Sequence, residues 1–312
     1  LASDVKRKGL SSTLKAPILS GVVYILLALS SGFSFLWGDS EQNLFLSTIV
    51  LQILIFILPS LFYSRMTDLS IMRKLKLKIF NPEKLILLLA LLGVMIFGSL
   101  LVNMVFYYFF QKTGEYSATS AYALTDAVAS MNVVYVLLAF CIVPAICEEF
   151  VFRGILLSEY SEAGGAAAVF FTSLLFAMSH FDFIELPAYF FSGIVLAASV
   201  YVTKSLYASI LLHAANNFFS IYLAPYIWTV SLQPRGELFS LFIVTTLFLV
   251  CLVIALRESE NAYYEYAYDP AYADERFGGV SERPTSSFLS ALFSPTLLLC
   301  VLCFLIVTLA RS

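Results

Sequence analysis

The chain of 312 residues is 60% hydrophobic and 12% charged, with a formal net charge of −3. A soluble globular domain carries about 25% charged residues, so the composition excludes an ordinary soluble domain, and the near-neutral balance gives no support to nucleic acid as a partner. What remains is an all-α polytopic membrane protein, because the apolar runs are long and continuous rather than alternating as in a membrane barrel.

In chain order, nine stretches read as spans, about 17–37, 44–64, 84–110, 131–157, 164–181, 184–203, 206–228, 237–256 and 287–310, which predicts eight to nine transmembrane helices. The first apolar run lacks a small-residue cleavage site, so no cleavable signal peptide is expected. Lys6, Arg7, Lys8 and Lys15 stand at the first span, and Arg65, Arg73, Lys74, Lys76, Lys78 and Lys84 follow the second. Lysine and arginine mark cytoplasmic loops. The N-terminus is therefore expected in the cytoplasm, with the acidic loop GDSEQN and the loop 111–130 outside. The polar stretch 257–285, rich in tyrosine and acid, is expected to be a solvated linker. The cysteines Cys141, Cys147, Cys251, Cys300 and Cys303 all lie in apolar runs and are expected to act as small hydrophobes, including the C-x-x-C of Cys300 and Cys303. Three parts follow from this layout: N-terminal helices and loops (1–130), a core (131–228), and C-terminal helices with the polar loop (229–312).

The fourth span ends in CEEFVFRG, residues 147–154. A charge at the bilayer centre costs roughly 2.5–3.5 kcal/mol on insertion scales, so Glu148, Glu149 and Arg153 together call for a use. Glu149 and Arg153 are four residues apart and can pair across one helical turn, while Glu148 projects about 100° away and is left for chemistry. The chain has two histidines. His180 follows Phe176 by four, and His213 precedes Asn217 by four, so each pair shares a helix face. Each of these residues also has a structural reading, as an interhelical hydrogen bond or a topological anchor. Ionisable groups within membranes face one another or a wet cavity, and a common site is the economical reading. A glutamate base, two imidazoles and an amide make an inventory for activating water against a carbonyl. H-E-x-x-H and G-x-S-x-G are both absent. A divalent metal such as zinc stays open, with His180, His213 and Glu148 as its ligands; no cofactor is required by the residues.

These three motifs, EEFVFR (Glu148 to Arg153), FAMSH (Phe176 to His180) and HAANN (His213 to Asn217), match the patterns E-E-x-x-x-R, F-x-x-x-H and H-x-x-x-N/D. In this order, each in a hydrophobic span, they resemble the CPBP group, the type II CAAX prenyl endopeptidases and their bacterial relatives, often called the Abi family. The resemblance covers about residues 130–225. It implies an intramembrane endopeptidase acting on a membrane-associated protein or peptide, lipidated in the CAAX case. It implies Glu148 as the base that activates water, His180 as its helper, His213 and Asn217 at the oxyanion, Glu149 and Arg153 shaping the site, and Phe176 at the substrate. The family is often labelled metalloprotease; a metal-free glutamate mechanism is the reading preferred here. The expected location is the plasma membrane of a bacterium. The alternative reading is a non-catalytic immunity or scaffold protein of the same family, and a proton-relay transporter gains nothing from the remaining spans. One tension is built in: simple span counting places His180 near the outer end of its span, on the order of 10 Å from the depth of Glu148 and His213. The fifth segment must then begin late, or be tilted and interrupted near Gly164, Gly165 and Pro187.

Overall fold

The computed structural model describes residues 12–32, 41–67, 77, 79–110, 131–233, 235–268 and 284–311. Among them there is no strand, and the helices run in order as α1 (Ser12–Gly32), α2 (residues 41–66), α3 (Leu85–Phe110), α4 (Val133–Tyr160), α5 (Gly165–Met178), α6 (Leu186–Thr203), α7 (Leu206–Tyr222), α8 (Ala224–Ser231), α9 (Gly236–Tyr268), α10 (Pro284–Leu292) and α11 (Pro295–Arg311). Five helices are long and apolar enough to cross a membrane: Asn43–Met66, Pro82–Tyr108, Val133–Tyr160, Leu186–Thr203 and Gly236–Tyr266. Shorter apolar helices lie at Lys15–Ser30, Gly165–Met178 and Pro295–Ala310. The protein is an all-α polytopic membrane protein. The loop 111–130 and the basic residues Lys6, Arg7, Lys8, Arg73, Lys74, Lys76 and Lys78 lie outside the described residues.

Local sequence explains the main breaks. Asn132 opens α4 by accepting a hydrogen bond from the Val134 N–H at 2.9 Å, the capping role for which a short polar side chain is suited. Gly164, at φ +105°, takes the turn before α5 that a residue with a Cβ would resist. Asp182 accepts from the Ile184 and Glu185 N–H groups at 2.9 and 3.0 Å and so sets the entry to α6. Pro225 sits in the first turn of α8 and separates it from α7, so the stretch expected as one span at 206–228 is two helices. Pro295 likewise starts α11 after α10.

The expected linker at 257–285 needs correction. α9 continues as a helix to Tyr268, and residues 269–283 lie outside the described residues. The polar extension is anchored from two sides. Lys84 pairs with Glu265, and Lys84 and Lys204 stand 5.4 and 5.1 Å from the Tyr266 ring centroid. Cation–ring contacts of this kind favour an ordered aromatic over a solvated one.

α4 lies at the centre, with α2 and α7 packed along it; α5 packs along α6, α3 along α9 and α6, and α1 along α11. The close approaches use small residues. A Cβ on Gly193 of α6 would come within 2.9 Å of the Ser173 Cα of α5, so that pair of backbones meets only because residue 193 has no side chain. Small residues at helix crossings are the usual means of packing in lipid, where no hydrophobic force drives apolar helices together. Polar ties add to this: Ser99 to Ser192 at 2.8 Å and Asn103 to Glu185 at 2.7 Å join α3 to α6.

Candidate active site

Two π-helical stretches, Leu137–Ile142 and Phe150–Leu156, interrupt α4 on either side of Val143–Glu149. Such stretches widen a helix locally and recur at functional sites. Pro144 follows the first. It has no N–H to give to the carbonyl of Phe140, four residues back, and the Asn217 side-chain amide of α7 donates to that carbonyl at 3.3 Å. The break in α4 thus positions one of the expected site residues.

Glu148, Glu149 and Arg153 are buried. Arg153 Nη1 donates to Glu149 Oε1 at 2.8 Å, and Nη2 donates to the Gly193 carbonyl at 3.1 Å. His213 Nδ1 lies 2.9 Å from the same Glu149 oxygen. A carboxylate bound to arginine can only accept, so His213 carries its proton on Nδ1 and turns Nε2 inward. Nε2 stands 3.9 Å from Glu148 Oε2, too far for a direct hydrogen bond and a separation that invites a bridging water. Glu148 Oε2 is buried and has no hydrogen-bond partner among the described residues. Glu149 Oε2 is likewise buried without a partner, so the two adjacent glutamates differ in what holds them: Glu149 is tied through Oε1 to a cation and an imidazole, and Glu148 has no cation within salt-bridge distance among the described residues and stands 3.9 Å from the imidazole.

His180 joins them. Its Nε2 is also buried and unpartnered. The Phe176 ring is edge-on to both histidines, with centroids 5.1 Å from His180 and 5.5 Å from His213, and the Arg153 guanidinium lies 4.4 Å from its centroid. Phe176, expected at the substrate, has its ring covered by site residues and is 3% exposed. The length of α5 bears on the expected depth mismatch of His180. α5 has 14 residues, about 20 Å of helix, short of a hydrocarbon core of about 30 Å. His180 lies two residues past its end. Phe181 follows at φ +50°, an uncommon conformation for a bulky residue. Its ring is held by Tyr24 and Phe304, at 5.6 and 6.4 Å.

All six polar residues expected from the sequence lie on α4, on α7 or just past the end of α5, and Phe176 links the three segments. Further contributors were not expected. Tyr189 stacks face to face on His180, 3.9 Å between centroids with planes 12° apart. The carbonyls of Phe140 and Gly193 are backbone groups with no sequence signal. Gln52 of α2 lies beside the Glu148 carboxylate, on a helix packed against Val143–Glu149; as the one amide side chain between residues 44 and 64, it could have been singled out as a polar group in a span.

The donor set does not make a metal centre as arranged. Zinc takes three or four ligands at about 2.0–2.3 Å. Among the described residues no group of three or more histidine, cysteine, aspartate or glutamate side chains is gathered to hold an ion. The five cysteines are free, and the Cys300 thiol donates to the Pro17 carbonyl at 3.2 Å.

Residues 130–219 match the family model of the Rce1-like type II CAAX prenyl endopeptidases. This segment is similar to the domain of that family. The matched range contains all seven side chains placed above by sequence. The chain is also 29% identical over 160 residues to the membrane-embedded CAAX protease MroQ of Staphylococcus aureus (strain USA300), a match covering 47% of this chain and 62% of that protein's length. No solved structure matches.

Proposed function

We propose that this protein is an intramembrane endopeptidase that hydrolyses a peptide bond of a membrane-associated protein or peptide, with water activated by Glu148. The observation that carries this reading is the division between the two glutamates. Glu149 is neutralised by Arg153 and orients His213, while Glu148 presents an unpartnered oxygen toward His213 Nε2. Glu148 takes a proton from water as its oxygen attacks the scissile carbonyl, His180 Nε2 holds that water, and the proton passes to the leaving amine as the C–N bond breaks. Charge that develops on the carbonyl oxygen is met by the second N–H of Asn217, with His213, held in place by Glu149, beside it. No step is routed through a metal. The N-terminus lies on the cytoplasmic side of a bacterial plasma membrane in this reading, and the identity of the peptide is left to experiment.

The test is cleavage of a library of membrane-protein and peptide substrates by purified protein in detergent, with wild type and Glu148→Ala compared, each with and without a strong chelator. The expected result is cleavage by wild type that survives chelation and is absent in Glu148→Ala. Cleavage lost on chelation and restored by zinc would overturn the metal-free mechanism. Absence of cleavage by wild type, with full cellular function of Glu148→Ala, would overturn the peptidase reading.

A further inference from the structure

Gln52 lies outside the matched segment 130–219, on a helix that carries none of the three motifs. It is the last residue before the π-helical stretch Ile53–Ile57, and both this stretch and the helix before it pack on α4 beside Glu148. The side chain is half-buried. Its side-chain amide lies beside Glu148, and its Oε1 is buried without a partner among the described residues. An amide carbonyl sequestered from water and left unsatisfied is unfavourable, so the site holds an acceptor waiting for a donor. A water molecule that gives one hydrogen to Glu148 has a second hydrogen to place.

We infer that Gln52 is a further residue of the reaction centre: its Nε2 fixes the rotamer of the Glu148 carboxylate, and its Oε1 accepts the second hydrogen of the attacking water. This inference rests on the proposed role of Glu148. It makes the N-terminal helices part of the site, because α2 supplies one wall of it. Fixing both hydrogens aims a lone pair of the water at the carbonyl carbon, a contribution to orientation rather than to substrate binding.

The test uses the full-length protein in detergent and compares wild type, Gln52→Met, Gln52→Asn and Glu148→Gln. Met conserves length and removes both hydrogen-bonding functions; Asn keeps them on a shorter stem. The expected result is a fall in kcat of about tenfold to a hundredfold in Gln52→Met, smaller than the loss of the base itself. KM should stay within about twofold, the melting temperature should match wild type, and Gln52→Asn should recover part of the rate. Unchanged kcat in Gln52→Met, with Glu148→Gln inactive, would overturn the inference and leave the role of Glu148 standing. Loss of kcat that tracks loss of melting temperature in both Gln52 variants would also overturn it. Infrared difference spectra give a readout that needs no turnover. The Glu148 carboxyl band, assigned by its loss in Glu148→Gln, should shift in Gln52→Met, and an unshifted band would overturn the inference even if no cleavage assay succeeds.

Discussion

Around Arg153, four helices meet through charge and hydrogen bonds: Glu149 on α4, the Gly193 carbonyl on α6, the Phe176 ring on α5 and His213 on α7. Along the seam of α3, α6 and α9, helices meet through missing side chains: a Cβ on Gly93 would collide with Cys251, and one on Gly98 with Phe191. The first region is specific and brittle, since each buried charge depends on its partner. The second is graded, since its cost rises with the volume forced into it. A membrane protein can thus keep polar groups at its centre while its outer seams stay apolar and tolerant.

The contrast can be broken in order of effect. Glu148→Gln should lower cleavage on the order of 10²–10⁴-fold, the range for loss of a general base, with the melting temperature unchanged; a large drop in melting temperature would mean that Glu148 is a structural member like Glu149. Arg153→Ala leaves Glu149 buried without its cation and should cost about 3–5 kcal/mol, read as a lower denaturation midpoint in detergent together with lost activity. Gly98→Leu overfills the seam and should cost about 1–3 kcal/mol, while the rate per folded molecule is retained; a selective loss of rate would show that the seam is coupled to the site. Lys84→Ala removes the partly exposed pair with Glu265 and should change stability by about 0–1 kcal/mol, measured by the same midpoint.

The local half of the site was legible from spacing alone. Glu149 and Arg153 pair because they are four apart on a helix, and Glu148, which points another way, does not share that ion pair. The contact of His213 with Glu149 was not legible, because it joins residues 64 apart and depends on how α7 lies on α4. Span positions followed from hydropathy, but helix ends did not. α9 runs on to Tyr268 because Glu265 and Tyr266 find Lys84 and Lys204, partners that no window along the chain reveals. The shortness of α5 was half visible in Gly164 and Gly165, which mark its start. Gln52 was visible as a polar residue in an apolar run, and only packing shows that it faces Glu148.

A π-helical stretch is what a helix becomes when it takes in one residue more than its regular winding holds. α4 contains two, before and after the segment that carries Glu148 and Glu149. The carboxylates thus sit between two joints, and their bearing toward α7 is set by local winding as much as by neighbouring side chains. Deleting one residue from 137–142 or from 150–156 would let that stretch return to regular winding, whereas deleting one from 143–147, which holds no surplus residue, would turn the carboxylates by about 100° against one end of the helix with the chemistry of every other residue untouched. Changes of length, rather than of composition, are therefore the sharpest tool for re-aiming this site, and a single-residue indel in α4 would do more to its geometry than most substitutions.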